Sequence, residues 1–281
     1  MPERIIVRAL KEWANTRGIT CKTFSQGWII SIEHNSIEHN AKQSLVYGYN
    51  FDINSASASQ IACDKAGLSD LLSDAGLPHV AHLLLTHPSL TGFATEADNW
   101  TLASEMAQKY NYDLVCKPNQ GSSGLDVFRV RNEHDMQQAM QLLNRTKTGI
   151  CLSPFYEIDA EYRIILLNGR ALLGYEKVIP TVPGNRGEHV PITWKHNLAG
   201  GAIPRLLTKA ELSPLLPIAR QALATAGLQL AAVDIISTQA KHLILEVNCG
   251  IMLEHFAQNM AGGYDIARAV YDAILKEIFS C

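Results

Sequence analysis

Two apolar segments near the C-terminal end of the chain constrain its fold more than any other feature. Residues 230–236 and 242–247 are almost wholly apolar, and only a short polar link separates them. Runs of this length and composition predict two buried β-strands that pair in one sheet. The exceptions to the apolar pattern are Asp234 in the first strand, and Glu246 followed by Asn248 at the end of the second.

These three polar residues suit a metal ion. Glu246 and Asn248 stand two apart, so on a strand both project from one face, and a paired strand can set Asp234 beside them. Carboxylate and amide oxygens are ligands of hard cations, and magnesium completes its shell with water and substrate phosphates. The pattern predicts a magnesium site. The alternative, acids that face solvent at strand ends, is weakened by the apolar character of both strands.

The composition excludes several classes of protein. Of 281 residues, 47% are hydrophobic and 18% are charged, which is typical of a globular protein and not of a disordered or fibrous one. The length suits one continuous core or two to three lobes. The net charge is −3 and Lys and Arg are not clustered, so no nucleic-acid partner is expected.

The targeting and cysteine signals predict a cytoplasmic protein. The start of the chain lacks a secretory profile, and no apolar run reaches the roughly 18 residues of a membrane span, so no membrane partner is expected. Six cysteines show no CxxC spacing and stand mostly in apolar segments, which predicts reduced, buried thiols. Cys249 directly follows a predicted metal ligand, and is either a small packed neighbour or a catalytic thiol.

The remaining segments interleave helices and strands, which predicts a mixed fold, α+β or α/β, arranged in lobes. Thr95 and Thr208 are predicted N-caps, and Lys65 lies in the first turn of a helix. Residues 180–205, rich in proline and glycine, predict a long loop that could serve as a lid. Predicted helices cover residues 6–15, 64–75, 95–110, 134–144, 208–227 and 264–279. Further predicted strands cover residues 28–32, 45–49, 112–116, 126–130, 150–155, 162–167 and 171–178.

One perfect repeat occurs near the start of the chain. The pentapeptide SIEHN stands at 31–35 and again at 36–40, which sets His34 and His39 five residues apart. Five is neither a strand nor a helix period, so the two imidazoles need not share a face. A duplicated loop or hairpin is therefore favoured over a metal site.

Residues 117–124, Lys-Pro-Asn-Gln-Gly-Ser-Ser-Gly, lie between two predicted strands and suit a polyphosphate. Gly121 and Gly124 let backbone N–H groups approach an anion, the serines add donors, and Lys117 adds fixed positive charge. The segment is not a Walker A loop, because no Gly-Lys-Ser/Thr follows and no helix begins there. A glycine-rich hairpin turn is the alternative interpretation.

Two further polar segments are candidates for the site. Arg163, in Glu161-Tyr-Arg163, could contact a γ-phosphate or a developing acyl phosphate, where its planar fork is superior to a lysine. A cross-strand ion pair is the alternative. Residues 195–201, Lys-His-Asn-Leu-Ala-Gly-Gly, lie late in the long loop, where a loop with an asparagine cap is the alternative.

Taken in order, these segments resemble the ATP-grasp superfamily, and within it the RimK and glutathione-synthetase type. The order and spacing of the whole set are far more specific than any one element, and the match covers about residues 60–280. Its elements are Asp64-Lys65, Lys117-Pro-x-x-Gly-x-x-Gly124, the run from Leu152 to Arg163, Lys177, His196-Asn197-Leu-x-x-Gly-Gly, Asp234 and Glu246-x-Asn248.

The resemblance implies two α+β lobes that clasp ATP, preceded by a short N-terminal α/β domain. The N-terminal domain would cover residues 1–60 and the ATP-grasp domain residues 61–281. The small lobe would lie at about 110–155, and the remainder would form the large lobe. This leading domain is short for the family, so the resemblance also allows a homodimer in which a partner or a larger substrate completes the pocket.

The resemblance also implies the ligands of ATP and of two magnesium ions, which manganese can replace. The backbone of Leu152 and Ser153 would read adenine, and Glu161 would face the ribose. Other implied nucleotide contacts are Lys65, Lys117, Gly121, Ser122, Ser123, Gly124, Lys177, Lys195, His196 and Asn197. The implied magnesium ligands are again Asp234, Glu246 and Asn248.

The implied activity is carboxylate–amine ligation through an acyl phosphate, with release of ADP and phosphate. Lys117 and Arg163 would be the catalytic cations, and amino acids or a short peptide the substrates. Alternatives on the same fold are a ligase that modifies peptide or protein side chains, a small-molecule kinase, and a nucleotide-binding module without turnover. The intact set of cations and metal ligands argues against the last.

The chain departs from the family after Glu246-x-Asn248. The family often continues with a small residue, proline and glycine, whereas this chain reads Cys249-Gly250-Ile251. The difference falls on a loop that commonly shapes the acceptor pocket, so Cys249 and Gly250 are candidate substrate contacts. Arg186 and Arg205 are candidates to hold a substrate carboxylate, with solvated loop charges as the alternative.

Overall fold

The computed structural model describes residues 3–34, 42–87, 89, 95–121, 124–146, 149–183, 189–239 and 241–279. Ser122, Ser123, Arg186, Cys281 and the second SIEHN copy with His39 lie outside these residues. Their predicted roles therefore stay predictions.

The N-terminal unit consists of one helix and a four-stranded antiparallel sheet. Helix α1 spans Ile5–Asn15, close to the predicted 6–15. The sheet has the order β1-β2-β3-β4. Its strands are β1 Thr20–Phe24, β2 Ile29–His34, β3 Lys42–Tyr47 and β4 Asn50–Phe51. The first SIEHN copy lies largely in β2, which pairs with β3.

The central sheet has five antiparallel strands in the order β13-β10-β9-β14-β15. The two apolar segments near the C-terminal end form β14 and β15 and pair with each other, with Asp234 opposite Glu246. On its other side β14 pairs with β9, where Arg163 stands opposite Asp234. The strands are β9 Ala160–Leu167, β10 Arg170–Val178, β13 Ile203–Leu206, β14 Leu230–Thr238 and β15 Lys241–Asn248.

Helices cover both faces of the central sheet, because successive strand residues point to opposite faces and both sets are apolar. One face, which includes Ile164 and Val233, packs against α2, α3 and α7. The other, which includes Ile165 and Ala232, shares a hydrophobic cluster with the N-terminal unit, α8 and α9. These helices are α2 Ala56–Cys63, α3 Lys65–Asp74, α7 Leu216–Thr225, α8 Glu254–Asn259 and α9 Gly263–Phe279.

A second antiparallel sheet, in the order β5-β8-β6-β7, forms the small lobe with two helices. Thr95 caps the first of these helices as predicted, in a capping box with Asp98. The sheet begins before the predicted start at about residue 110, because β5 contributes its first strand. The elements are β5 Leu83–Leu85, α4 Glu96–Lys109, β6 Leu114–Pro118, β7 Phe128–Val130, α5 Glu133–Leu143 and β8 Ile150–Pro154.

The predicted loop at 180–205 contains regular structure. Strands β11 Thr181–Pro183 and β12 His189–Pro191 pair with each other, and β13 forms an edge of the central sheet. Prolines are tolerated at sheet edges, where a missing N–H costs little, so the proline content did not exclude strands.

The helix predicted over 208–227 is interrupted. Thr208 and Glu211 form the predicted capping box at the start of α6 Lys209–Leu212. A new helix, α7, then begins with a proline in its first turn. Pro214 lies between the two helices and cannot continue a helical hydrogen-bond ladder, which explains the break.

The predicted class, a mixed α+β fold, is confirmed. The sequence patterns did not predict α2, α8, β1, β4 or β5, which are short or lack a clear apolar period. None of the helices in the described ranges combines the length and apolar character that a membrane crossing requires.

Candidate active site

A deep cleft lies between the small sheet and one end of the central sheet. It encloses about 1060 Å³ of empty space, part of which is open solvent. The small sheet contributes Lys117 and Ser153 to its wall, and the central sheet contributes Glu161, Arg163 and Glu246.

The polar side chains at this end of the central sheet come from four adjacent strands. Residues two apart on a strand project from one face, and the strand register puts Arg163 and Glu246 on either side of Asp234. The alternation seen in the sequence thus brings the predicted metal ligands together. The polar end comprises Glu161 and Arg163 on β9, Lys177 on β10, Asp234 on β14, and Glu246 and Asn248 on β15.

Asp234 is the centre of a buried ion-pair cluster. The Arg163 guanidinium donates from Nε and Nη2 to the two Asp234 carboxylate oxygens, at 2.7 and 2.6 Å. The Lys177 ammonium donates to Asp234 Oδ2 at 3.0 Å and to Glu161 Oε1 at 2.5 Å. Because Asp234 is only 1% exposed, its charge depends on these partners for stabilisation.

Glu246 and Asn248 complete the polar end of the sheet. The Asn248 amide donates to Glu246 Oε1 at 3.0 Å and to Asp234 Oδ2 at 3.5 Å. Glu246 also lies 4.0 Å from Arg163 Nη2. Among the described residues no group of three or more His, Cys, Asp and Glu side chains is arranged to hold a metal ion. The predicted site has two carboxylates and one amide.

The cluster sets the protonation states of its members. Burial alone would raise the pKa of Asp234, but Arg163 and Lys177 outweigh burial and hold that pKa below its ordinary value. Burial and the Asp234 charge raise the pKa of Glu161, although Lys177 opposes them. Burial would lower the pKa of Lys177, but Asp234 and Glu161 raise it overall. The carboxylate at the centre of the cluster is therefore ionised.

Lys117 differs from the cations of this cluster. It is 8% exposed, lines the cleft from β6, and has no ion-pair partner within 4.0 Å in the described part of the chain. Burial lowers its pKa. A buried ammonium that faces a cleft without a counter-ion is suited to an anionic ligand.

Lys65 begins α3, in the first turn as predicted, and its ammonium donates to the backbone oxygen of Gly121 at 2.8 Å. The helix is capped by Asp64, which also accepts from the Asn119 side chain at 2.8 Å. These contacts attach the start of α3 to the glycine-rich segment, so both line the same cleft.

Gly124 and Asn197 bring two distant predicted segments into contact. Gly124 has φ +66°, and a Cβ there would lie 2.9 Å from Asn197 Nδ2, so both backbone conformation and space require glycine. Asn197 caps the turn at Leu198–Gly200, which agrees with the asparagine cap considered from the sequence. Lys195 and His196 line the cleft beside it.

The net charge of the cleft favours a polyanion. Five cationic side chains face three carboxylates there, which leaves two positive charges. The cations are Lys65, Lys117, Arg163, Lys177 and Lys195, and the carboxylates are Glu161, Asp234 and Glu246. Such a surplus attracts phosphate groups.

The structure does not bring every predicted residue to the cleft wall. Leu152 is buried in the small-lobe core and pairs with both β5 and β6, whereas Ser153 lines the cleft. Arg205 lies on the exposed edge strand β13 and pairs with Glu176 and Glu211. As far as the chain is described, these two and the pair Cys249 and Gly250 do not line the cleft. Asp234 and Asn248 do not line it either, but they lie directly beside Glu246, which does.

The apolar wall of the cleft was missed by sequence reasoning. These residues carry no signal that separates them from core residues, because an apolar residue in a strand or loop looks the same in the sequence whether it lines a cleft or packs in a core. Phe155 and Trp194 meet edge to face, with ring centroids 5.7 Å apart. The wall includes Val80, Val115, Leu125, Val127, Phe155, Tyr156, Ile158, Trp194, Ile236 and Leu245.

Solved structures that share this fold include two ligases and a glutathione synthetase. A D-alanine–D-alanine ligase from Bacillus anthracis superposes with a TM-score of 0.59 at 16% identity, over 81% of this chain and 69% of that chain. A bifunctional glutathione synthetase from Pasteurella multocida gives 0.58 at 14% identity, over 99% of this chain and 43% of that chain. The ligase PsnB, complexed with a minimal precursor, gives 0.53 at 17% identity, over 80% of this chain and 64% of that chain.

A match to a protein-family model establishes the family of this chain. Residues 81–274 match the RimK-like ATP-grasp domain, so the chain belongs to that family. The superfamily predicted from the order of the segments is thereby confirmed. The chain spans less than two thirds of PsnB and less than half of the bifunctional glutathione synthetase. No functionally curated protein matches the sequence.

Proposed function

We propose that this protein is an ATP-dependent carboxylate–amine ligase that acts on amino acids or a short peptide through an acyl phosphate. The observation that carries the proposal is the convergence of distant segments on one cleft. Lys65, Lys117, Arg163, Lys177 and Asn197 come from different parts of the chain and meet beside the pair Asp234 and Glu246. Family membership supports the same conclusion.

The donor set at the polar end fits magnesium. It offers two carboxylates and one amide, and magnesium is commonly held by one or two carboxylates together with substrate phosphates. Asp234, Glu246 and Asn248 would hold up to two ions, and manganese could replace them. When bound, magnesium neutralises charge on the phosphate oxygens and orients them for transfer.

The side chains around the cleft account for binding and orientation of ATP. The apolar wall that includes Phe155 and Trp194 suits an adenine ring, and the backbone of Ser153, which also lines the cleft, would meet the polar edge of that ring. Lys65 and Lys117 suit the phosphates. Lys177 is held by Glu161 as well as by Asp234, so its position beside the cleft does not depend on Asp234 alone.

The reaction follows from positioning and charge. A substrate carboxylate attacks the γ-phosphorus in line, ADP leaves, and an acyl phosphate forms while Lys117 and Arg163 balance the charge on the transferring oxygens. An amine nitrogen then attacks the activated carbonyl and displaces phosphate, which leaves an amide. No protein nucleophile is required.

A second candidate is a ligase that modifies the side chains of a peptide. It is supported by the likeness to PsnB, whose structure was determined in complex with a minimal precursor. The two candidates share the activation step and differ only in the acceptor. A larger substrate would need an open route to the cleft. The cleft is open to solvent, which is consistent with such a route.

The test is ADP release with magnesium and ATP against a panel of amino acids, singly and in pairs, and against short peptides, with mass spectrometry of the products. We expect ADP only when an acid and an amine are both present, and a product lighter by one water than their sum. A stable phosphorylated product would indicate a kinase. ATP binding without ADP release from any mixture would indicate a module without turnover.

A further inference from the structure

Two cysteines from distant parts of the chain meet next to Asn248, one of the predicted metal ligands. Cys63 is the last residue of α2 and Cys249 follows β15, and their sulfur atoms lie 4.0 Å apart across a separation of 186 residues. The Cys249 thiol also donates to the backbone oxygen of Ser59 on α2, at 3.7 Å. Neither the sequence spacing nor the proposed reaction accounts for this contact.

The geometry is close to that of a disulfide. A disulfide needs its sulfur atoms about 2 Å apart, so the two must approach by about 2 Å. Cys63 stands at a helix end, where the backbone leaves the helix at Asp64, and helix ends adjust more readily than helix interiors. The remaining approach of the sulfur atoms is on the scale of a side-chain rotation combined with a small backbone shift at this helix end.

The two thiols differ in access to solvent, as an oxidisable pair requires. Cys63 is exposed, whereas Cys249 is 7% exposed and lies directly beneath it. Cys116 and Cys151 are fully buried and belong to the small sheet. A small oxidant thus reaches Cys63 first, and Cys249 is already in contact to complete the bond.

We propose that Cys63 and Cys249 form a reversible disulfide when the protein meets a peroxide. The Cys63 sulfur attacks one peroxide oxygen, the O–O bond breaks, and Cys63 sulfenic acid and one water result. The Cys249 sulfur then attacks the Cys63 sulfur and displaces its oxygen as a second water. In total two thiols lose two electrons and two protons, and hydrogen peroxide is reduced to two waters; a dithiol reverses the oxidation.

The position of the pair gives the disulfide a consequence for the cleft, and this part rests on the proposed function. Cys249 adjoins Asn248, and Cys63 stands two residues before Lys65, with the helix cap Asp64 between them. Drawing the sulfur atoms together pulls on a predicted metal ligand and a predicted phosphate ligand at once. We expect the oxidised protein to bind magnesium-ATP about tenfold more weakly, a typical coupling between sites.

The first experiment treats the full chain with hydrogen peroxide and maps disulfides by mass spectrometry of a non-reducing digest. We expect a cross-linked pair of peptides that joins Cys63 to Cys249, two hydrogens lighter than the reduced pair and restored by dithiothreitol. Cys63→Ser removes the cross-link. Cys21→Ser, which changes a half-buried cysteine on β1, retains it. Absence of the cross-link between Cys63 and Cys249 in the oxidised, unaltered chain overturns the proposal.

The second experiment measures magnesium-ATP affinity by calorimetry before and after oxidation. We expect weaker binding by the oxidised chain, recovery with dithiothreitol, and no change on oxidation of Cys63→Ser. Equal affinity of the cross-linked and reduced chains overturns the regulatory part. Absence of ATP binding by the reduced chain would instead overturn the proposed function. The peptide mapping of the first experiment would still show whether the disulfide forms.

Discussion

The two ends of one face of the central sheet are equally buried and chemically opposite. At one end Asp234 is 1% exposed and is surrounded by charge. At the other end Leu167 is also 1% exposed and packs among apolar side chains. Arg163 and Ile165, two residues apart on β9, mark the change from one end to the other.

The comparison teaches that burial alone does not define the site. The apolar end is covered by the N-terminal unit and α9, which match it with more apolar surface. The polar end faces the cleft, and its charges are compensated within the cluster by paired strands. The predictions below test this contrast, in order of their expected effect on the free energy of unfolding.

The largest effect is expected from Asp234→Asn. The change keeps the shape but leaves Arg163 and Lys177 buried without their shared carboxylate, so we expect a loss of about 3–5 kcal/mol in the free energy of unfolding. Urea denaturation measures it. The matched control is Glu176→Gln, which breaks an ion pair with the exposed Arg205 and should cost less than about 1 kcal/mol. Equal costs would contradict the contrast between buried and exposed pairs.

Leu167→Ala tests the apolar end. Removing a fully buried side chain leaves a cavity, and we expect a loss of about 3 kcal/mol with less than a twofold change in ATP affinity. Denaturation and calorimetry on the same preparation separate the two quantities. Leu142→Ala, at an exposed position on α5, is the control and should be almost neutral. If Leu167→Ala weakened ATP binding strongly, the two ends could not be treated as independent.

Glu254→Ala tests how the N-terminal unit is attached. The Glu254 carboxylate accepts from the Ile5 and Ile6 backbone N–H groups, at 2.8 and 3.3 Å, and so caps α1 from the far end of the chain. We expect a loss of about 1–2 kcal/mol, measured by denaturation, because helix N-termini need an acceptor and favour negative charge. Glu12→Ala removes an exposed ion pair on the same helix and should cost about 0.5 kcal/mol or less. A neutral Glu254→Ala would show that the cap does not hold the unit.

The smallest effect on stability is expected from Glu246→Ala. Its side chain is 28% exposed, so its loss should cost less than about 1 kcal/mol, the usual limit for surface pairs. ADP release should nevertheless be abolished, because a proposed metal ligand is missing. Glu133→Ala, at an exposed position in the first turn of α5, should retain full turnover. Substantial ADP release by Glu246→Ala would refute the metal assignment.

Much of the polar end could be predicted from sequence because it depends on local rules. Glu246 and Asn248 share a face as a consequence of strand geometry, and the neighbouring apolar strand has the length to pair with theirs. The register that puts Asp234 opposite Glu246 does not follow from the short link alone, because the pairing of the two strands shifts by one residue between Asp234 and Ile235. Lys65 was correctly placed in the first turn of a helix because Asp64 is a strong N-cap.

The features that could not be predicted are mainly contacts between elements that are distant in the sequence. The contact of Cys63 with Cys249 requires α2, and that helix, rich in serine and alanine, has little apolar periodicity to reveal it. The cap that Glu254 places on α1 joins residues about 250 positions apart. The prolines near strand β13 predicted a loop. An edge strand tolerates proline, so a strand forms there instead.

The hydrophobic cluster that the N-terminal unit shares with the last helix distinguishes a domain defined by sequence similarity from a domain defined by a closed hydrophobic core. Recognisable kinship with the RimK-like family starts at residue 81, yet Ile6, Leu10 and Trp13 belong to the same hydrophobic cluster as Tyr271 in the last helix. A chain shortened to begin at residue 61 would uncover that cluster and should precipitate or remain partly folded. In this protein the segment that the family model matches is therefore shorter than the segment needed to close the hydrophobic cluster.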